Sequence, residues 1–317
     1  MKLARWLTLP LMVMLAASCS TPRPTPSDDR KLAWTGLSRH EMHDGRHERY
    51  YLMYVPGNLD LRNTIPVILA LHGGGGSPEH FAKLTGFNNL ADNQGFVVVY
   101  PSGTGVGVRR LFWNVLLTDT YATRENIDDL AFIKSVISDV KDRLVLPSLK
   151  FYATGFSQGG MLCFRMACDE ELSSQIVAIA TVGATMTVSS DDCRSIVPFP
   201  ILAIHGDADP FNSYQGGVSE RAPRHDRVAR PGFNETIEFW ISRNNVSAAS
   251  GKKYSQGGLR TEAFSNQEGV PLVVACTIEG GGHVWPGSNE NLPVWLVGKT
   301  SRDINATPMI WNFFKRF

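Results

Sequence analysis

The pentapeptide Gly155-Phe156-Ser157-Gln158-Gly159 follows a strand-like run at 150–154 and precedes an apolar stretch with helical spacing. A serine held between a strand and a helix by close glycines predicts a sharp, strained turn that lifts its hydroxyl clear of a sheet. It also sets the N–H of the next residue at a helix N-terminus, facing the same point. Gly155, Gly159 and Gly160 provide the room for the helix to cross the strand closely. A chain built around such a turn needs a sheet whose strands end at one edge with helices behind it.

The rest of the sequence supplies that frame. Strand-like runs fall at 50–55, 67–71, 96–100, 150–154, 176–182, 201–205 and 272–278, and most are continuously apolar, as in parallel strands covered on both faces. Helical patterns lie between them at 79–93, 128–146, 158–169, 234–245 and 307–317. This alternation predicts an α/β fold, a doubly wound, mostly parallel sheet with helices on both faces. Residues 32–40 read as an antiparallel edge strand. The glycine-bearing loop 101–110 and the long polar stretch 210–232 flank the predicted chemistry, the latter as a cover over substrate.

Three side chains form the candidate catalytic set. Ser157 is the expected nucleophile and His283, in Gly280-Gly281-Gly282-His283-Val284-Trp285-Pro286-Gly287, the expected general base. Asp209, in His205-Gly206-Asp207-Ala208-Asp209-Pro210, is expected to fix the imidazole tautomer. Asp207 competes for that role but sits nearer the strand end, where it would cap the loop. His72 and His205, each before a glycine at a strand end, are expected to bond backbone, and His225 to be solvated. The N–H groups of Gln158 and of Gly74, or else Gly73, form the expected oxyanion hole, because the run His72 to Gly76 can turn backbone donors toward one point. Trp285 and Trp113 are placed on the substrate pocket. At least one of Asp128 and Asp129 should cap a helix.

Other chemistries are excluded by pattern. The formal net charge is +1 and no Lys/Arg block exceeds two residues, so no nucleic-acid partner is expected. The glycine run lacks G-x-x-x-x-G-K-S/T, and no C-x-x-C or H-E-x-x-H occurs, so neither nucleotide nor metal is expected. A composition of 43% hydrophobic and 19% charged residues over 317 positions suits one catalytic domain, taken as 31–317.

The N-terminus has a different logic. Lys2 and Arg5 precede an apolar run at 6–17, too short to span a bilayer but suited to an export signal, taken as 1–18. Leu15-Ala16-Ala17-Ser18-Cys19 resembles a bacterial lipobox, with Cys19 the lipidated residue and a membrane anchor, against simple cleavage and secretion. Residues 19–30 then read as a polar, proline-rich tether. The expected location is outside the cytoplasm, as an outer-membrane or periplasmic lipoprotein or a secreted protein. Of the remaining cysteines, Cys163 and Cys276 read as buried hydrophobes. Cys168 and Cys193 are the candidate disulfide.

Taken together, the motifs L-H-G-G-G-G-S, Y-P-S-G, W-N, N-I-D-D-L-A-F-I, T-G-F-S-Q-G-G-M, H-G-D-A-D-P and G-G-G-H-V-W-P-G occur in this order. They resemble the polyhydroxybutyrate depolymerase and feruloyl esterase group of carbohydrate esterase family 1, within the α/β-hydrolase superfamily. The resemblance covers about 50–317. It implies an α/β-hydrolase fold and a serine esterase acting through an acyl-enzyme, with Ser157, Asp209 and His283 as triad and no metal or organic cofactor. The implied substrate is a small-molecule or oligomeric ester: feruloyl or acetyl carbohydrate esters, or short hydroxyalkanoates. Where the family often continues toward V-P-Y, this chain has Pro210-Phe211-Asn212-Ser213-Tyr214, which sets Tyr214 one position late on the expected pocket wall. A serine peptidase of the same fold and a non-catalytic surface-binding lipoprotein are the competing readings.

Overall fold

The structure is a computed structural model, and it describes residues 35–43, 47–105, 110–116, 119–194, 198–219, 221–247 and 251–317. The expected signal, Cys19 and the tether lie outside the described residues. Among the described residues ten strands form one sheet: β1 (Gly36–His43), β2 (Glu48–Val55), β3 (Ile65–Leu71), β4 (Val97–Pro101), β5 (Leu149–Phe156), β6 (Ile176–Val182), β7 (Ile201–Gly206), β8 (Lys252–Gln256), β9 (Leu259–Ser265) and β10 (Pro271–Ile278). The order is β1-β2-β4-β3-β5-β6-β7-β10-β9-β8. The six strands from β4 to β10 are parallel, and antiparallel strands close both ends.

Helices α1 (Pro78–Thr85), α2 (Phe87–Gln94), α3 (Tyr121–Arg124), α4 (Asp129–Leu144), α5 (Gln158–Cys168), α6 (Glu170–Gln175), α7 (Phe233–Arg243), α8 (Val294–Val297) and α9 (Ala306–Phe314) complete the fold. The continuous apolar strands divide their side chains between two cores. Val67, Leu69 and Leu71 pack with Phe132, Ile133, Val136 and Ile137 of α4, and with α5 and α7. Ile68, Ala70 and Val98 pack instead with α1, α2 and α9, through Phe81, Phe87, Ile310 and Phe314. Successive strand residues face opposite sides, so a run that is apolar at every position demands helices on both. Each fully buried large side chain stabilises by roughly 1.5–3 kcal/mol relative to exposure.

Some expectations need correction. The single helix at 79–93 is two, because Gly86 takes a left-handed conformation (φ 66°) that ends α1 and starts α2 at a new angle. The sequence pattern predicts no strands where the β8–β9 hairpin lies. Every residue of β8 is exposed, so it carries no apolar pattern, although Gly257 and Gly258 (φ 58° and 75°) make its turn. The N-terminal edge strand runs Gly36–His43, later than expected. Cys168 and Cys193 form a disulfide across the end of α5, while Cys163 and Cys276 are buried thiols; burial pushes the Cys276 thiol up to about 11.

Candidate active site

Ser157 lies between β5 and α5 with φ 53° and ψ −121°, a conformation that costs an L-residue of order 1–3 kcal/mol. Three glycines make it possible. A Cβ on Gly159 would stand 2.2 Å from the Leu71 carbonyl oxygen and 2.6 Å from that of His72. One on Gly155 would stand 2.3 Å from the Gly159 carbonyl carbon, and one on Gly160 2.6 Å from Ala184 Cβ. Helix α5 can therefore press against the end of β3 only without side chains here. The Ser157 N–H donates to the Val182 carbonyl at 2.9 Å, leaving the side chain half-buried at the sheet edge.

His283 follows β10, its backbone N–H donating to the Val297 carbonyl at 2.6 Å. Its Nε2 is 2.9 Å from Ser157 Oγ and its Nδ1 2.7 Å from Asp209 Oδ2. The Asp209 side chain is fully buried; its Oδ1 accepts the N–H groups of Phe211 and Asn212, both at 2.8 Å. Burial alone would push this carboxyl up. The neighbouring His283, together with the hydrogen bond from His205, outweighs burial and holds it well below the ordinary carboxylate range. An ionised Asp209 accepts a hydrogen bond from the His283 Nδ1–H and leaves Nε2 to accept from the serine hydroxyl. Asp207 does not face the imidazole. It accepts the Gly280 N–H at 2.7 Å and pairs with Arg260 at 3.0 Å, tying the acid turn to the base loop.

The donors for a developing oxyanion come from two places. In the His72 loop, Gly75 N–H is spent on the Leu111 carbonyl and Gly76 N–H on that of Gly73. Among the described residues, the N–H groups of Gly73 and Gly74 are uncommitted. A Cβ on Gly74 would stand 2.7 Å from the Gln158 side chain, so this glycine abuts the first residue of α5. The loop is fixed from beneath by His72, whose Nε2 accepts the Gly103 N–H at 2.9 Å and whose Nδ1 is 2.8 Å from the Gly73 carbonyl oxygen. Burial lowers the His72 pKa to about 4 and keeps the ring neutral.

This strained elbow and relayed imidazole sit on a sheet whose sequence pattern has a match. The alpha/beta hydrolase fold family matches residues 66–262, more than half of the chain. The chain belongs to the α/β-hydrolase family. This hydrolase is 27% identical to "Putative esterase NocK" of Nocardia uniformis subsp. tsuyamanensis, over 94% of this chain and 88% of that protein. It is 26% identical to feruloyl esterase B of Piromyces equi, over 74% of this chain but 42% of that longer protein. Among solved structures, the acetyl xylan esterase from Aspergillus awamori superposes with a TM-score of 0.56 at 16% identity, over 78% of this chain and 94% of that one, a likeness of fold.

The hydrolase uses its aromatic residues differently from expectation. Trp285 is 2% exposed, donates Nε1–H to Thr307 Oγ1 at 3.1 Å and packs edge-on to Phe81 and Phe87, so it belongs to the core and not to a pocket wall. Trp113 is fully buried and donates Nε1–H to the His72 carbonyl at 2.8 Å, bracing the oxyanion loop from behind. Tyr214 turns its hydroxyl to Thr277 Oγ1 at 2.9 Å and its ring edge to His205. It supports the acid turn from the α7 side and lies away from Ser157. The rings that flank the imidazole are Phe156 and Phe211, with centroids 4.8 and 5.3 Å from that of His283.

Two supporting residues, Gly183 and Arg49, carry no sequence signal of their role, and Asp129, read there only as a candidate helix cap, has a different one. Gly183 (φ 58°) would carry a Cβ 3.4 Å from His283 Nδ1, so its lack of side chain leaves room for the imidazole. Arg49 and Asp129, both with fully buried side chains, pair at 2.7 Å; Arg49 donates to the Ser102 carbonyl and Asp129 accepts the Asn114 N–H, each at 2.6 Å. The pair clamps the segments bearing Gly103 and Trp113, the two residues that hold His72. Asp128 is the cap of α4, accepting the Ala131 N–H at 3.0 Å. His205 contacts the Asn212 carbonyl oxygen at 2.9 Å as well as Asp209, and the ring of His225 is half-buried against Phe112.

Proposed function

We propose that this hydrolase is a serine esterase that cleaves carboxylic esters through an acyl-enzyme. The observation that carries the reading is the hydrogen-bonded series Asp209, His283, Ser157, with backbone donors offered by the uncommitted N–H of Gly74, or else Gly73, and by the first-turn N–H of Gln158. His283 Nε2 takes the Ser157 hydroxyl proton as Oγ attacks the ester carbonyl carbon. The carbonyl oxygen gains the negative charge, which the two backbone donors stabilise. On collapse, the bond to the alcohol oxygen breaks and His283 returns the proton to it. Water activated by the same imidazole then releases the acid and frees Ser157.

The relatives named as esterases support ester over amide substrates, and the feruloyl esterase and acetyl xylan esterase among them favour feruloyl or acetyl groups carried on carbohydrate. Short hydroxyalkanoate oligomers are the other acyl class the sequence motifs admit. The charged, apolar and lipobox-like segments ending at Cys19 support export, with a lipid anchor on that cysteine.

Initial rates on methyl ferulate, acetylated xylo-oligosaccharide and a 3-hydroxybutyrate oligomer test the reading. The wild type should turn over at least one of them, Ser157→Ala should turn over none, and Asp209→Asn should lose on the order of 10⁴ in kcat with the fold intact. Full activity in Ser157→Ala, or failure of a fluorophosphonate to label the folded wild type, would refute it.

A further inference from the structure

Large hydrophobic side chains stand in water next to the base loop. Leu292, Val294, Trp295 and Leu296 are 42, 59, 73 and 39% exposed, and Val218 is 53% exposed. Single exposed hydrophobics are ordinary, but a run of them on adjoining segments marks a contact surface. The α8 turn that carries most of them is built into the site: Val297 accepts the His283 N–H, and Gly282 donates to the Lys299 carbonyl at 2.9 Å. A Cβ on Gly282 would stand 2.4 Å from Gly298 Cα, so the two segments are in direct contact. On the other flank Arg221 donates to the Trp295 carbonyl, and Ser219 to the carbonyl of Pro210, which follows Asp209. The patch is thus continuous with the turns of both the acid and the base.

The reaction assigns a side to it. The imidazole that deprotonates Ser157 must hand its proton to the departing alcohol oxygen, so the alcohol half of the ester lies on the His283 side and the acyl half away from it. Resting on the esterase reading, we propose that residues 292–296 bind the alcohol half of a carbohydrate ester, with a sugar ring laid on Trp295. Trp offers a rigid flat face at small entropic cost, suited to the C–H face of a sugar. Around the patch stand polar groups that suit the ring's hydroxyls: Glu290 paired with His80, Asn291 bonded to Arg302, and Arg221. An apolar face with a polar rim fits an amphiphilic ring better than a hydrocarbon surface.

The test compares esters that share an acyl group and differ in alcohol: methyl ferulate against a feruloylated arabino-oligosaccharide, and ethyl acetate against an acetylated xylo-oligosaccharide. The full chain, Trp295→Ala and Trp295→Phe are assayed on all four. Trp295→Ala should raise KM about tenfold for an oligosaccharide ester, equivalent to about 1.4 kcal/mol. The matching small ester should keep its kcat/KM within about twofold, and Trp295→Phe should recover most of the loss. Equal effects on both members of a pair, or none on either, would overturn the assignment. So would an unchanged ratio together with loss of binding to anionic phospholipid vesicles in Trp295→Ala, which would make the patch a membrane contact. Inertness of the wild type toward all four esters would instead remove the esterase reading, and this proposal with it.

Discussion

Lowering the pH from 7.5 to 4 offers a proton to a histidine that this fold holds neutral. His72 is 1% exposed, with Nε2 against the Gly103 N–H and Nδ1 against the Gly73 carbonyl oxygen. A proton on Nε2 would set donor against donor in a buried site. Burial lowers its pKa to about 4, so between its ordinary value near 6.5 and that value the unfolded chain binds a proton that the native state does not. The stabilisation is complete above about pH 6.5 and is lost as the pH falls through the folded value; one-proton linkage sums to about 3 kcal/mol by pH 4. That is a large share of the 5–15 kcal/mol typical of a domain. Asp209, held below the ordinary carboxylate range, gives up its contribution only at lower pH. Asp129 and Asp226, pushed up by burial, act in the opposite sense as the pH falls.

Substitution isolates the His72 share. His72→Gln keeps an acceptor near the Nε2 position but does not titrate. Urea unfolding of both proteins, stepped from pH 7.5 to 4, should find the variant less stable by about 1 kcal/mol at the start, for one lost hydrogen bond. The two profiles should cross near pH 6, and the variant should be the more stable by about 2 kcal/mol at pH 4. Parallel profiles would refute a neutral, buried His72.

Two further outcomes are expected. Asp129→Ala, which removes the buried carboxylate paired with Arg49, should cost about 3–5 kcal/mol, whereas Arg49→Met combined with Asp129→Leu should cost far less. Urea midpoints decide this, and equal losses would show that the pair acts only through packing. Reducing the Cys168–Cys193 disulfide, which spans 25 residues, should lower stability by about 3 kcal/mol and shift the thermal midpoint downward. An unchanged midpoint would show that the loop is held without it.

Ser157, Asp209 and His283 could be read from the sequence because each sits in a short motif whose backbone shape dictates its neighbours. Only glycine can flank an elbow whose helix lies 2.2 Å from a carbonyl oxygen at the Gly159 Cβ position. Nearness in the chain misled where the side chain's direction mattered. Trp285 lies two residues past His283 yet turns into the core, and Tyr214 faces Thr277 and not Ser157. The Arg49–Asp129 pair was illegible for another reason: a buried charge announces itself only through its partner, and that partner is distant in sequence. The β8–β9 hairpin lacked the apolar alternation that betrays a half-buried strand.

The acid and base turns are fastened to one another: Ala208 donates to the Gly281 carbonyl at 3.1 Å, Asp207 to that of Ile278 at 3.1 Å, and Gly280 to the Asp207 carboxylate at 2.7 Å. The 74 positions that separate Asp209 from His283 therefore leave and return through a single clasp. The chain between runs through the 210–232 loop, α7 and the β8–β9 hairpin before β10 returns it to the sheet beside β7, so the clasp and that strand keep the imidazole in register whatever the loops between them carry. A lineage can rework what this enzyme grips without reopening how it cuts.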